Sequence, residues 1–457
     1  MSFKGIRASD SEPPRCNLGR LVRSASTLLV LTMLLLGAAA PAKKPPPASP
    51  KPKPKPAAPA HSAKKPVKPP AAPAKAARTL IVCDRGNLAL YSLDAGKTER
   101  LTTDGTLFEP YSSPATFDGN EVAMMRGGNV FAFNIKRAAL LQITTDGLPP
   151  DSGQKWYASP QVSPDGRTIA ALFTDNTGDN PVHEVVFFSA DGHNRKSIPT
   201  DDALEGASLG HLRFAPKGKQ VAFNFFTDSE DASGVAAVPV PTGKVKVVYQ
   251  PQQASGETQT AEDSSFDDFF WLSDSSLLVS LSTYDENFNL SYSPALFTVG
   301  GKVARRRIAW PKQTAGSDVV VSPIASTGAA ILALRASNLS AVSDANKGTA
   351  YFEILELPAT GVGAGKTLFS RQQQIADFSS FDGIRLIPGA HLVAVVTSEV
   401  KQLGTKGEGA LPATKAAAAT PAVRQPITFF SALILDFAGK PVANLTDLTD
   451  PAILAGK

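Results

Sequence analysis

Two short stretches of this chain carry residue types that could do chemistry. Gly206-Ala207-Ser208-Leu209-Gly210 has the G-x-S-x-G spacing of a nucleophile elbow, with His211 directly after it. Such an elbow holds a serine hydroxyl on a sharp strand-to-helix turn above an α/β sheet. Here His211-Leu212-Arg213-Phe214 follows as a strand with no helical periodicity behind it, so the match is a chance one. Gly361-Val362-Gly363-Ala364-Gly365-Lys366-Thr367 has the ending of a phosphate-binding loop, but Thr360 stands where the first glycine belongs. Leu368-Phe369-Ser370 then continues as a strand, not as the helix whose amides would cradle a phosphate. Ala95-Gly96-Lys97-Thr98 occupies the equivalent place in an earlier unit, which makes both hairpin turns. Cys16 and Cys83 are the only cysteines, so a disulfide framework and a cysteine-built zinc site are excluded. Three Asn-x-Ser/Thr sequons, at Asn289, Asn338 and Asn444, are expected by chance.

Any binding or catalysis must therefore come from side chains that larger elements bring together. Charge divides the chain into unlike regions. The overall +5 is the average of +3 in residues 1–25, +10 in 41–78 and −8 in 79–457. The basic pI thus describes an acidic body with a basic tail, not a nucleic-acid-binding domain.

Residues 1–42 run in the order of a secretory signal: basic region, the apolar run Leu28 to Leu36, then small residues ending Ala40-Pro41-Ala42. Cleavage after Ala42 is one reading. An uncleaved anchor is the other, although the run is short against the about 20 residues of an ordinary span. Residues 43–78 are a Pro/Lys/Ala-rich linker, read as disordered. Thirteen prolines in 41–78 remove donors and fix φ, giving an extended spacer of at most roughly 110 Å. Its Lys-Pro alternation resembles the periplasm-spanning segment of TonB-type proteins, and its charge suits an anionic membrane or cell-wall surface.

Residues 79–457 repeat. Leu80 to Gly105 and Val122 to Gly147 match without a gap; both place Gly-Asn before a strand and both end in Thr-Thr-Asp-Gly. A turn marker recurs as Phe117-Asp118-Gly119, Pro164-Asp165-Gly166, Pro216-Lys217-Gly218, Ser273-Asp274-Ser275, Ser326-Thr327-Gly328 and, degenerate, Ile387-Pro388-Gly389. A later marker reads Gly96-Lys97, Gly243-Lys244, Gly301-Lys302, Gly365-Lys366 and Gly439-Lys440, with Gly192-His193 in the same place. Each unit is then a four-stranded antiparallel sheet whose two bare faces only its neighbours can cover. The expected fold is an all-β propeller of seven blades, with six as the alternative. Residues 79–105 lack a first strand, which Ala452-Ile453-Leu454-Ala455 would supply to close the ring. Residues 402–425, rich in Ala, Gly, Thr and Pro, are expected to be a flexible insertion.

Ser159-Pro160-Gln161-Val162-Ser163-Pro164-Asp165-Gly166-Arg167-Thr168-Ile169-Ala170 resembles the WD-repeat-like propeller repeat of the TolB family, and Phe214 to Ala222 fits it with Lys217 for aspartate. The resemblance covers the repeat body only; the family's α/β domain is replaced by the Pro/Lys-rich segment. It implies an extracytoplasmic, non-enzymatic protein-interaction propeller. By register His183 falls in a connecting loop, His193 and His391 fall at turns, and only His211 lies near the axis, so no histidine metal cage and no cofactor is expected. The loops entering the innermost strands hold Glu109, Asp267, Asp268, Asp318, Asp377 and Asp382, interleaved with Phe108, Trp156, Tyr157, Phe266, Phe269, Phe378 and Phe381. With His211 these define a binding face for a protein or peptide, cationic and extended, the chain's own Lys-Pro arm included. The alternative is that the phenylalanines are inter-blade core and the acids ordinary solvated loop residues. The alternative function is a propeller lyase or hydrolase with a carboxylate or metal site at the channel mouth. The expected location is periplasmic or extracellular after export, or the inner membrane if the anchor is retained.

Overall fold

The computed structural model describes residues 79–456, leaving out 150–151, 228–232, 251–264, 285–289, 300–303, 309, 312–318, 328–329, 339–347, 360–364, 376–380, 388–389 and 404–424. Residues 1–78, on which the expected signal or anchor and linker fall, and Asp318, Asp377, Phe378 and nearly all of the expected insertion lie outside the described residues.

The period-2 apolar patterns become strands throughout. The first blade begins with β1 (Thr79–Asp84), β2 (Asn87–Ser92) and β3 (Lys97–Arg100). Blade 2 holds β4 (Ser112–Ala115), β5 (Glu121–Arg126), β6 (Asn129–Asn134) and β7 (Ala139–Gln142). Blade 3 holds β8 (Lys155–Val162), β9 (Thr168–Asp175), β10 (Val182–Ser189) and β11 (Lys196–Pro199). Blade 4 holds β12 (Ser208–Phe214), β13 (Gln220–Phe226), β14 (Gly234–Pro239) and β15 (Lys246–Tyr249). Blade 5 runs β16 (Ser265–Ser273), β17 (Ser276–Tyr284), an added β18 (Leu290–Tyr292), β19 (Ala295–Thr298) and β20 (Ala304–Arg307). Blade 6 holds β21 (Val319–Ser326), β22 (Ala330–Ser337), β23 (Gly348–Pro358) and β24 (Lys366–Ile375). Blade 7 holds β25 (Phe381–Ile387), β26 (Leu392–Leu403), β27 (Gln425–Asp436) and β28 (Pro441–Leu448). The last strand, β29 (Leu454–Gly456), pairs antiparallel with β1, opposing Gly456 to Thr79 and Leu454 to Ile81. It is the missing innermost strand of blade 1, and the described strands form an all-β propeller of seven antiparallel units, each of four strands except blade 5, which adds β18.

The core confirms the count, because it is divided among the interfaces between blades. One cluster joins Leu80 and Val82 of blade 1 to Val396 and Ile434 of blade 7. Another joins Ile81 and Leu88 to Tyr111 and Met124 of blade 2. Five more fill the successive gaps from blades 2 and 3 round to blades 6 and 7. Seven gaps close a ring, and each blade is covered on both sides by apolar neighbours. At the seam Leu448 opposes Asp84 and the Thr449 amide donates to the Cys83 carbonyl, so blades 7 and 1 share backbone hydrogen bonds as well as core.

The matching Gly-Asn and Thr-Thr-Asp-Gly segments have a physical cause. In blade 1 the Asn87 side chain donates to the Gly105 carbonyl and accepts from the Gly105 amide, both at 2.9 Å. Thr102 Oγ1 accepts from the Leu88 amide and donates to Asn87 Oδ1. Asn129, Gly147, Val130 and Thr144 repeat the arrangement in blade 2. Gly86 and Gly128 lie in the left-handed region, and a Cβ on either would run into the backbone of Thr106 or Leu148. Glycine is required there by conformation and by the close approach of two loops. In blade 3 His183 stands where blades 1 and 2 have Leu88 and Val130, one residue after the asparagine: it is buried in β10, its carbonyl accepts from the Thr200 amide as theirs do from Thr102 and Thr144, and its ring meets Asp201 at 3.3 Å. This corrects the expected loop position. The two-residue turn of blades 1 and 2 is replaced by residues 176–181, so the position is recognisable only through Thr200 downstream.

Candidate functional site

Strand direction sorts the loops onto two faces. Connections from an outermost strand to the next innermost one, and the central hairpins of each blade, share one face; the remaining turns share the other. Of the described members of the expected binding set, Phe108 and Glu109 lie in a loop of the first of these, the loop face, whereas Trp156, Tyr157, His211, Phe266, Asp267, Asp268, Phe269, Phe381 and Asp382 lie within the innermost strands β8, β12, β16 and β25, not in the loops that enter them.

The carboxylates here are held by the protein's own cations. Asp104 pairs with Arg126, which also reaches Glu109 at 3.9 Å and lies over the Tyr111 ring at 5.2 Å. Asp146 pairs with Lys155 at 3.3 Å and Arg195 at 3.6 Å, and both cations stand over Phe173. Burial pushes the Asp146 carboxyl up, but the Tyr157 hydroxyl and Lys155 outweigh it and hold it below its ordinary range. Burial, then the bond to Asp146, drives the Tyr157 phenol up. Burial likewise raises the Tyr111 phenol, partly offset by Arg126. Between blades 4 and 5, Arg213 clasps Asp268 with two bonds of 2.9 and 3.1 Å, donates to the Phe269 carbonyl and stacks over Phe269 and Phe270. Trp271 returns a bond to the Arg213 carbonyl. Such bidentate pairs position strands as much as they present charge.

The expected residues therefore separate. Glu109 is on the rim and its side chain is 64% exposed. Asp267 is exposed and accepts from Ser280. Asp382 is half-buried against Arg385, and Asp268 is consumed by Arg213. Tyr157 is 1% exposed and belongs to the core between blades 2 and 3, with its hydroxyl on Asp146; Trp156 beside it is half-buried. Phe269 is core, Phe266 and Phe381 are packed against core, and Phe108 is 54% exposed. His211 is exposed on β12, its amide donating to Asn224. Among the described residues no three His, Cys, Asp or Glu side chains converge to hold a metal ion. Cys83 is buried, and burial followed by Asp450 pushes its thiol well up.

Three features were not read from the sequence. Leu148, Val182, Phe226 and Val400 join Phe108 as exposed apolar side chains on the loop face. Two shallow clefts of about 330 and 290 Å³ flank the blade 7/blade 1 seam and share Asp447. Arg85 at 3.0 Å, opposed by burial and helped by Lys401, holds the Asp447 carboxyl low.

No protein-family model matches the chain, and no curated protein matches it in sequence. Solved structures similar to it include an oligogalacturonate lyase from Vibrio parahaemolyticus, at 13% identity and TM-score 0.42 over 69% of this chain and 88% of that one. An oligogalacturonate lyase in complex with manganese is similar at 11% identity and TM-score 0.40, over 70% and 78%. The β-propeller domain of the Trilobed protease from Pyrococcus furiosus follows at 13% and 0.36, over 63% and 88%. At these scores nothing of their activities transfers to this chain.

Proposed function

We propose that the chain is an exported, non-catalytic, TolB-like β-propeller scaffold that binds a protein or peptide partner on its loop face. The observation that carries this reading is the set of exposed apolar side chains there. Phe108, Leu148, Val182, Phe226 and Val400 stand out of several different blades on one face, among exposed carboxylates such as Glu109, Asp202 and Glu205. Exposed apolar surface rimmed by polar groups is the usual mark of an interaction site. Carboxylates around it favour a cationic partner and exclude an acidic one. The internal pairing of Asp146 and Asp268 leaves Glu109 and the apolar groups as the contacts a partner would reach first. Export rests on the order of basic, apolar and small residues in 1–42.

The test is selection of a random peptide library on the immobilised full chain, followed by titration of the best peptide. The expected peptide is basic, binds less tightly as salt rises from about 0.05 to about 0.3 M, and loses about tenfold in affinity when Phe108→Ser is combined with Glu109→Gln. Peptides indifferent to both salt and the double variant would remove the loop face from consideration.

A further inference from the structure

The Gly-Lys turns leave a residue without a task. Glycine makes most of these turns, and the lysine beside it, or the lysine at the same hairpin of blades 2 and 3, holds no ion pair among the described residues. Lys97, Lys136, Lys196, Lys244, Lys366 and Lys440 stand at the same hairpin of six blades, on the face opposite the loop face, and all six are exposed. None of their ammonium groups is in an ion pair among the described residues, whereas Arg126, Lys155, Arg213 and Lys401 on or between the loop-face strands are all paired. Four acids of this opposite face, Asp118, Asp165, Asp191 and Asp436, accept backbone amides of their own turns at 2.8 to 3.2 Å, and Asp274 is held by Lys217. The loop-face cations named above are thus paired, whereas the six hairpin lysines of the opposite face have no ion-pair partner among the described residues and stand beside the pair of Lys217 with Asp274 at 3.7 Å.

Two further observations say what covers the basic face. Thr79, where the +10 Pro/Lys segment joins the body, lies at this face, opposite Gly456. The segment therefore leads from the apolar run at 28–36 to the basic side of the ring. Phe117 is 58% exposed at the tip of a turn on this face, and its loop is tied to the neighbouring lysine turn by bonds from Ile135 and Lys136 to Asn120. Leu140 and Val442 are also exposed beside Lys136 and Lys440. Unpaired lysines around protruding apolar side chains are the chemistry of an interfacial contact: charge attracts the anionic headgroups and the apolar tips enter the boundary.

We propose that this face rests on a bilayer bearing anionic phospholipid, so that the loop face points away from the membrane. The test is sedimentation of the full chain with vesicles of phosphatidylcholine alone and with about 30% phosphatidylglycerol. The tether is identical in every variant, so differences report the face. Replacing Lys97, Lys196, Lys244 and Lys366 by Gln is expected to lower partitioning onto anionic vesicles about tenfold or more. Phe117→Ser should lower it about threefold, and Arg85→Gln with Lys401→Gln on the loop face should leave it unchanged. Thermal melts of each variant show that the ring is intact. Partitioning unchanged by the four-lysine variant overturns the proposal, as does equal loss in the loop-face control. Loss with the lysines but none with Phe117→Ser assigns the face to a soluble polyanion instead. Concentration-dependent self-association abolished by the lysine variant, with vesicle binding intact, assigns it to the acidic face of a second copy.

Discussion

Blades 1 and 2 and blade 7 have the same four strands and meet the loop face differently. In the first two, the central hairpin turns in two residues, locked by glycine contacts and by asparagine bonds to the following loop. In blade 7, β26 and β27 stay paired out to Leu403 and Gln425, and Val400 is 62% exposed. The core strands are alike; what differs is how much backbone rises above them. One side of the loop face thus turns back at once under side-chain bonds, and on the other the two strands stay paired further out, with Lys401 on Asp447 and over the Phe429 ring. A propeller can vary its binding surface in this way without altering the ring, because loops carry few of the buried contacts.

Gly128→Val breaks this comparison most severely. The side chain has no space and the wrong φ, so a loss of about 4 kcal/mol, or of cooperative folding, is expected in denaturant titrations. Deleting residues 451–457 removes the strand that covers the edge of β1, and Tm should fall by about 5 °C or more. An unchanged Tm would show that β29 does not close the ring. His183→Ala should cost about 1 to 3 kcal/mol by emptying a buried position of β10 and removing the ring's contact with Asp201, while His183→Leu, which rebuilds the position as Leu88 fills it in blade 1, should cost less than about 1. Equal costs would mean the equivalence is only positional.

A smaller effect concerns acid. The folded Asp146 carboxyl titrates below its unfolded value, so its contribution is complete above about pH 4 and is lost as pH falls through the folded value. Asp146→Asn should flatten that part of the stability profile; an identical acid limb would refute the assignment. Val400→Ser, at the exposed end of blade 7, should change stability by less than about 0.5 kcal/mol.

Repetition made the fold legible. The unmatched strand of 79–105 required a partner, and β29 is that partner. The same markers hid the reason for their residues: Gly-Asn and Asp-Gly read as turn signals, while their joint role as a clamp needs the two loops in contact. The site was less legible because register tells which strand a residue is on, not which neighbour it faces. Tyr157, expected in a loop that enters an innermost strand, is inside β8 and points between blades. Asp268 is inside β16, not in the loop before it, and its partner Arg213 is 55 positions away on another blade, a pair that no local pattern announces.

The seam also sets a schedule for synthesis. Cys83 and Thr449, whose backbones bond across the closing joint, are 366 positions apart. At about 5 to 20 residues per second, roughly 20 to 70 s separate their emergence from the ribosome. Through that interval β1 has its ladder groups open on one side, and the apolar residues that later face blade 7 have nothing to face. Blades 2 to 6 can pair as they appear, whereas blade 1, made first, is finished last. A chain arranged in this way must be kept from pairing its early edge with a neighbour until the circle is complete.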